Sequence, residues 1–175
     1  MEISRQLRSI IALPLMVTII IPAILVLLFN VDHFSFKRPF PMSLMLSSVG
    51  FGAIIVGLIL MIATIRLFIN KGNGTLAPWD PPSKLVISGP YRYVRNPMIM
   101  GVFSVLLGEA MIIGSTASWI WFILFLLMNL IYIPMYEERG LEERFGHDYR
   151  LYKQNVPRWI PRLNAWRTST GEVRD

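Results

Sequence analysis

The chain has 175 residues, room for one domain, and a net charge of +6. Hydrophobic residues make up 54% and charged residues 16%, too apolar for an ordinary soluble domain of this size. The absence of cysteine excludes disulfides, thiolate metal sites and cysteine nucleophiles, and the two distant histidines, His33 and His147, offer no zinc ligand set.

Four apolar runs follow in chain order. Ile10 to Phe29 is interrupted by Pro14 and Pro22. Arginines Arg5 and Arg8 precede it, as in a signal peptide, but its length suits a span of about 20 residues and no small-residue cleavage site follows, so it reads as a retained anchor. The second run is Ser43 to Ile69, the third Met98 to Ile113 and the fourth Trp119 to Tyr136. Helices satisfy their own backbone hydrogen bonds in lipid, so each run is expected to cross as a helix. The five-residue link Gly114 to Ser118 forces the last two into an antiparallel hairpin.

Basic residues fix the expected orientation. With four spans, Arg5, Arg8, Arg66, Lys71, Lys84, Arg92, Arg95 and the eight arginines and lysines from Arg139 to Arg174 share one side, while only Lys37 and Arg38 lie opposite. This asymmetry puts both termini in the cytosol and points the charge at a membrane surface rather than at nucleic acid. The expected fold is an all-α integral membrane protein, a single domain over 1–175. It has four transmembrane helices (10–29, 43–69, 98–113, 119–136), a long cytosolic loop and a C-terminal amphipathic interfacial helix. Leu141, Phe145, Tyr149, Tyr152 and Val156 supply that helix's apolar stripe. Ala53 and Gly57, and Gly101, Ser104 and Gly108, form small-residue stripes suited to close helix packing.

The long loop contains "PWDPP", Pro78 to Pro82, which cannot be regular helix, and Trp79, which suits either an interfacial anchor or a site. It ends in "GPYRYVRNPMIMG", Gly89 to Gly101. Pro97 disfavours helix at Asn96 and is a natural first helical residue. Free N–H groups there, beside Arg92 and Arg95, make either an anion site or a pair of arginines reaching lipid headgroups. At the far end of the fourth run, Glu137 and Glu138 are adjacent. Neighbouring helix positions differ by about 100°, so the two do not face one target together: either one carboxylate faces a pocket while the other holds structure, or both belong to a solvated face with Arg139 and Glu143 as an i,i+4 pair. Glu109 lies near the middle of a span and reads as an interhelical hydrogen-bonding group, with a functional role the alternative.

Taken together, "GPYRYVRNPMIMG" and "YEERGLEERFGHDYRLYKQNVPRWIPR" resemble the isoprenylcysteine carboxyl methyltransferase family and, more broadly, phospholipid N-methyltransferases. The resemblance covers about Lys71 to Arg162, with site segments near 71–101 and 132–162, and is nearest to bacterial members, which implies a bacterial or archaeal cytoplasmic membrane. It implies S-adenosylmethionine as cofactor, bound by Tyr91, Arg95, Asn96, Pro97, Gly101, Glu137 and Glu138, with Glu137 and Arg95 in catalytic roles. An arginine-flanked helix start suits the donor's carboxylate, acidic side chains its ammonium and sulfonium, and apolar and aromatic walls its adenine. The implied acceptor is lipophilic: a prenylated cysteine carboxylate, a phospholipid amine or a small thiol. Two positions depart from the family pattern, with Asn96 in place of a histidine and Ile99 in place of a tyrosine. Other readings are an NADPH-dependent membrane sterol or steroid reductase, which Val102 after Gly101 disfavours, and a non-enzymatic membrane subunit or transporter.

Overall fold

A computed structural model describes residues 13–29, 39–71 and 85–167, without the side chains of 68–71. Helix α1 is Leu13–Leu28, α2 is Met42–Lys71, α3 is Pro97–Ile113, α4 is Thr116–Tyr132 and α5 is Glu138–Asn155. No strand occurs among the described residues, and Leu85 to Ser88 has no regular structure. The start of the first apolar run, the basic residues Arg5, Arg8, Lys37, Arg38 and Lys84, and the "PWDPP" segment with Trp79 lie outside the described residues.

Two of the helical segments, Met42–Leu67 and Thr116–Asn155, are long and apolar enough to cross a membrane; Leu13–Leu28 and Pro97–Ile113 are shorter apolar helices. Their outward faces carry exposed Leu44, Phe51, Ile59, Leu124 and Ile131. Such surface would be costly in water and is ordinary against lipid. The protein is an all-α helical integral membrane protein.

Backbone approach holds α2 to α3. A Cβ on Gly57 would come 2.5 Å from the Gly101 carbonyl oxygen, and one on Gly101 would come 2.8 Å from the Gly57 carbonyl oxygen. One register further along, a Cβ on Gly50 would come 2.9 Å from the Gly108 oxygen. Gly50 and Gly57 therefore mesh with Gly108 and Gly101 in antiparallel order. Lipid tails are as apolar as leucine, so close packing of this kind is what binds such helices. Around it, Met61, Val102, Val105, Leu106 and Phe125 form the core, with Val17, Phe103, Trp121 and Phe122 packed on its edge.

The hairpin between α3 and α4 is tighter than its five-residue link suggested. Gly114 ends α3 in the left-handed region (φ 69°), and the Ser115 side chain accepts a hydrogen bond from the Ala117 N–H, so α4 begins at Thr116. In α1, Met16–Ile20 is a π-helical stretch, and the Ile21 N–H reaches back to the Met16 oxygen. This leaves the Val17 carbonyl to accept from Trp121 Nε1 at 3.2 Å, tying α1 to α4.

The fourth run does not stop at Tyr136. A π-helical turn, Ile133–Glu137, leads directly into α5, and the backbone breaks only at Gly146 (φ 53°, ψ −121°). The expected stripe is real but meets protein. Tyr149, Tyr152 and Val156 are buried, with Leu141, Phe145, Leu85, Ile87 and Trp166 packed around them.

Candidate active site

Gly89 adopts φ 52°, a conformation open to glycine, and starts a 3-10 turn, Gly89–Arg92. The turn is closed by bonds from the Tyr91 N–H to the Ser88 oxygen and from the Tyr93 N–H to the Pro90 oxygen. Helix α3 then begins at Pro97, as Pro at the first helical position permits. Between turn and helix the chain has no regular structure, and the segment after α5 lies alongside it. The Arg95 N–H donates to the Pro157 oxygen, the Arg162 N–H to the Tyr93 oxygen and the Trp166 N–H to the Arg92 oxygen, each at 3.0 Å. The Tyr152 hydroxyl donates to the Tyr91 carbonyl at 2.7 Å. The two ends of the molecule that carry the arginines and the glutamates are thus one structure.

Glu138 sits at its centre, with its side chain 3% exposed. Arg158 donates to it as a fork, Nε to Oε1 at 2.6 Å and Nη2 to Oε2 at 2.8 Å. Arg95 Nη1 lies 2.8 Å from Oε1 and Lys153 Nζ 3.7 Å from Oε2. Burial by itself raises the Glu138 pKa, but the Arg158 hydrogen bond and the charges of Arg95, Arg158 and Lys153 outweigh it and hold the carboxyl below its ordinary value. Glu138 is the carboxylate that holds structure.

The Arg95 contact differs in kind. Its side chain is 9% exposed, yet Nε and Nη1 make no aligned hydrogen bond, so the 2.8 Å approach to Glu138 is charge against charge. The Tyr149 hydroxyl lies within its hydrogen-bonding reach. Burial, and then the Glu138 charge, push the Tyr149 hydroxyl up to about 12, which keeps it a neutral donor. Burial likewise raises Tyr91 and Tyr152.

Glu137 makes no ion pair among the described residues, though its charge acts on Tyr91 and Tyr149. It is open at the surface, but neighbouring atoms crowd its carboxyl, and this desolvation, followed by the Glu138 charge, raises its pKa. Solvent access keeps that shift modest. The exposed, stacked rings of Tyr132 and Tyr136, 5.6 Å apart, stand just before it in the chain.

The remaining expected residues divide. Asn96 is half-buried at the start of α3, its Nδ2 3.5 Å from the Arg158 oxygen, a long contact. Pro97 is buried beneath it, and Ile99 is half-buried. Gly101 lies in the α2–α3 contact, so the packing reading of this glycine accounts for its place. Glu109 is half-buried, and its Oε2 has no hydrogen-bond partner, so the expected interhelical bond is not made at that oxygen. The sequence reading did not single out Arg158, Lys153 or the Tyr149 and Tyr152 hydroxyls. The two arginines of "VPRWIPR" and the tyrosines of the apolar stripe were the available signals.

The donor set suits a zwitterionic ligand. Unsatisfied buried guanidinium nitrogens on Arg95 seek an anion, and the uncommitted carboxylate of Glu137 seeks a cation. A separate cleft of about 290 Å³, lined by Leu25, Phe29, Thr116, Ala117, Ile120, Trp121 and Leu124, lies at the other end of α4 and carries no ionisable group.

The phospholipid methyltransferase family model matches residues 45–148, more than half of the chain. Protein-S-isoprenylcysteine O-methyltransferase of Schizosaccharomyces pombe is 38% identical over 77 residues, 44% of this chain and 33% of that protein. An uncharacterised protein of Haemophilus influenzae is 35% identical over 63 residues, 36% of this chain and all of that protein. The chain therefore spans a third of the length of its yeast relative and the whole of its Haemophilus one. The chain belongs to the phospholipid methyltransferase family and is similar over 77 residues to an isoprenylcysteine methyltransferase.

Proposed function

We propose that the protein transfers a methyl group from S-adenosylmethionine to a lipophilic acceptor at the cytosolic face of its membrane. The observation that carries this reading is the pairing of Arg95, buried with unsatisfied nitrogens, with Glu137, an uncommitted carboxylate, on segments bound together through Glu138. Arg95 would hold the donor's carboxylate and Glu137 its ammonium. Tyr91, Asn96 and Pro97 would form the rim at the start of α3. The bound donor supplies an electrophilic methyl on a sulfonium, and the protein's task is to align an incoming nucleophile with it.

The architecture proposed around this site is a single membrane domain with four spans and both termini cytosolic, as the distribution of arginine and lysine requires. The acceptor would arrive from the bilayer past Tyr132, Met135 and Tyr136, all exposed beside Glu137. A carboxylate acceptor needs no base. An amine or a thiol must lose a proton, and Glu137, whose pKa is raised, would accept it.

The test is transfer of labelled methyl from S-adenosylmethionine by the purified protein to three acceptors in turn: a phosphatidylethanolamine, a farnesylated cysteine and an alkyl thiol. Label in one of them, lost in Glu137→Gln, supports the reading. No label in any of them, with NADPH bound instead of S-adenosylmethionine, contradicts it.

A further inference from the structure

Glu138 meets three cations, of which Lys153 is shared with Glu142 at 3.4 Å. Arg158, Arg95 and Lys153 all lie within 3.7 Å of its oxygens, and both oxygens are already committed to Arg158. A carboxylate so committed has nothing left to give a ligand. Arg95, in contrast, meets Glu138 without alignment and keeps two nitrogens unsatisfied. Arg158 belongs to the segment after α5, whose backbone is bonded to Tyr93 and Arg95 on either side of it.

We infer that Arg158 is a positioning residue: through its fork on Glu138 it fixes the guanidinium of Arg95 where the carboxylate of the methyl donor is received. The inference rests on the proposed donor site and divides its labour. Arg95 and Glu137 meet the ligand, and Glu138 and Arg158 hold Arg95 in place. Without the fork, the Glu138 carboxylate, already 2.8 Å from Arg95 Nη1, is free to turn into alignment and take up the uncommitted nitrogens. The anion seat is then closed by the protein's own carboxylate. The fork is geometric, so a lysine at 158 keeps the charge but restores only part of the hold.

Calorimetric titration of the full chain in detergent with S-adenosylhomocysteine, the demethylated product, tests this. Arg158→Gln is expected to weaken binding about tenfold, the coupling typical of groups in one charged network. Arg158→Lys should recover part of that loss. In an Arg95→Ala background, Arg158→Gln should cost little more, because the group it positions is gone. Unchanged affinity in Arg158→Gln, or an equal loss with and without Arg95, overturns the inference while leaving the donor site standing. Failure of the unaltered protein to bind at all overturns the donor site, and the inference with it. If Arg158→Gln does not fold, Arg158→Lys decides by the same comparison: a loss that disappears without Arg95 supports positioning, and any other pattern overturns it.

Discussion

Arg158 and Glu138 face each other as a two-pronged fork, at 2.6 and 2.8 Å, across twenty residues of chain. The pair joins the segment after α5 to the start of α5, and Arg95 brings in the start of α3. Removing one member of a buried pair strands the other. Glu138→Gln is therefore expected to destabilise the fold by about 3–5 kcal/mol, read as a lowered thermal midpoint in detergent. An unshifted midpoint would mean the network carries no net stability.

The same carboxylate sets an acid limit. Its folded pKa lies below the ordinary 4.5, so the unfolded chain takes up its proton first as pH falls. Its contribution is complete above that ordinary value and is lost as pH drops from 4.5 through the lower folded value. Thermal midpoints measured across this window should fall more steeply for the unaltered protein than for Glu138→Gln. Parallel curves would count against the assignment.

Glu137 should behave in the opposite way. It makes no ion pair among the described residues, so Glu137→Gln is expected to leave the thermal midpoint nearly unchanged while lowering methyl transfer by about 10²–10⁴-fold if it serves as the base, the usual range for such a group. The comparison needs both readouts on one preparation. A large stability loss without a specific rate loss would make Glu137 a structural residue.

Gly101 is predicted to matter for packing. A methyl group there would meet the Gly57 oxygen and Met61 Cγ at 2.8 Å. Gly101→Ala should cost about 1–3 kcal/mol, the usual penalty of overpacking. Gly52, whose Cβ position is open, should accept alanine without loss, and thermal melts of the two variants provide the check.

Much of this was readable before any coordinates. The apolar runs located α1 to α4, because long apolar segments announce themselves by length and hydropathy, and the stripe from Leu141 located α5. Pro97 marked the start of α3 and Gly114 the end, because proline and glycine constrain the backbone directly. The choice between Glu137 and Glu138 was not readable. Pro134 lacks an N–H, and the turn around it is π-helical, which inserts a residue and rotates everything beyond it by about 100°. A regular helical wheel therefore cannot say which glutamate turns inward. Arg158 was hidden for another reason: its partner is brought close by the fold of a proline-rich tail that has no periodicity. The stripe from Leu141 to Val156 was visible, but its burial against Leu85, Ile87 and Trp166 depends on long-range packing that amphipathicity cannot distinguish from a lipid surface.

The central claim is that Arg95 and Glu137 hold a zwitterionic methyl donor. Its most direct test is calorimetry of the detergent-purified protein with S-adenosylmethionine, beside NADPH as the competing cofactor and Arg95→Ala as the altered site. The account predicts one saturable site for S-adenosylmethionine, none for NADPH, and weakened but still measurable binding in Arg95→Ala. Binding of NADPH alone, or S-adenosylmethionine bound equally well without Arg95, would contradict it.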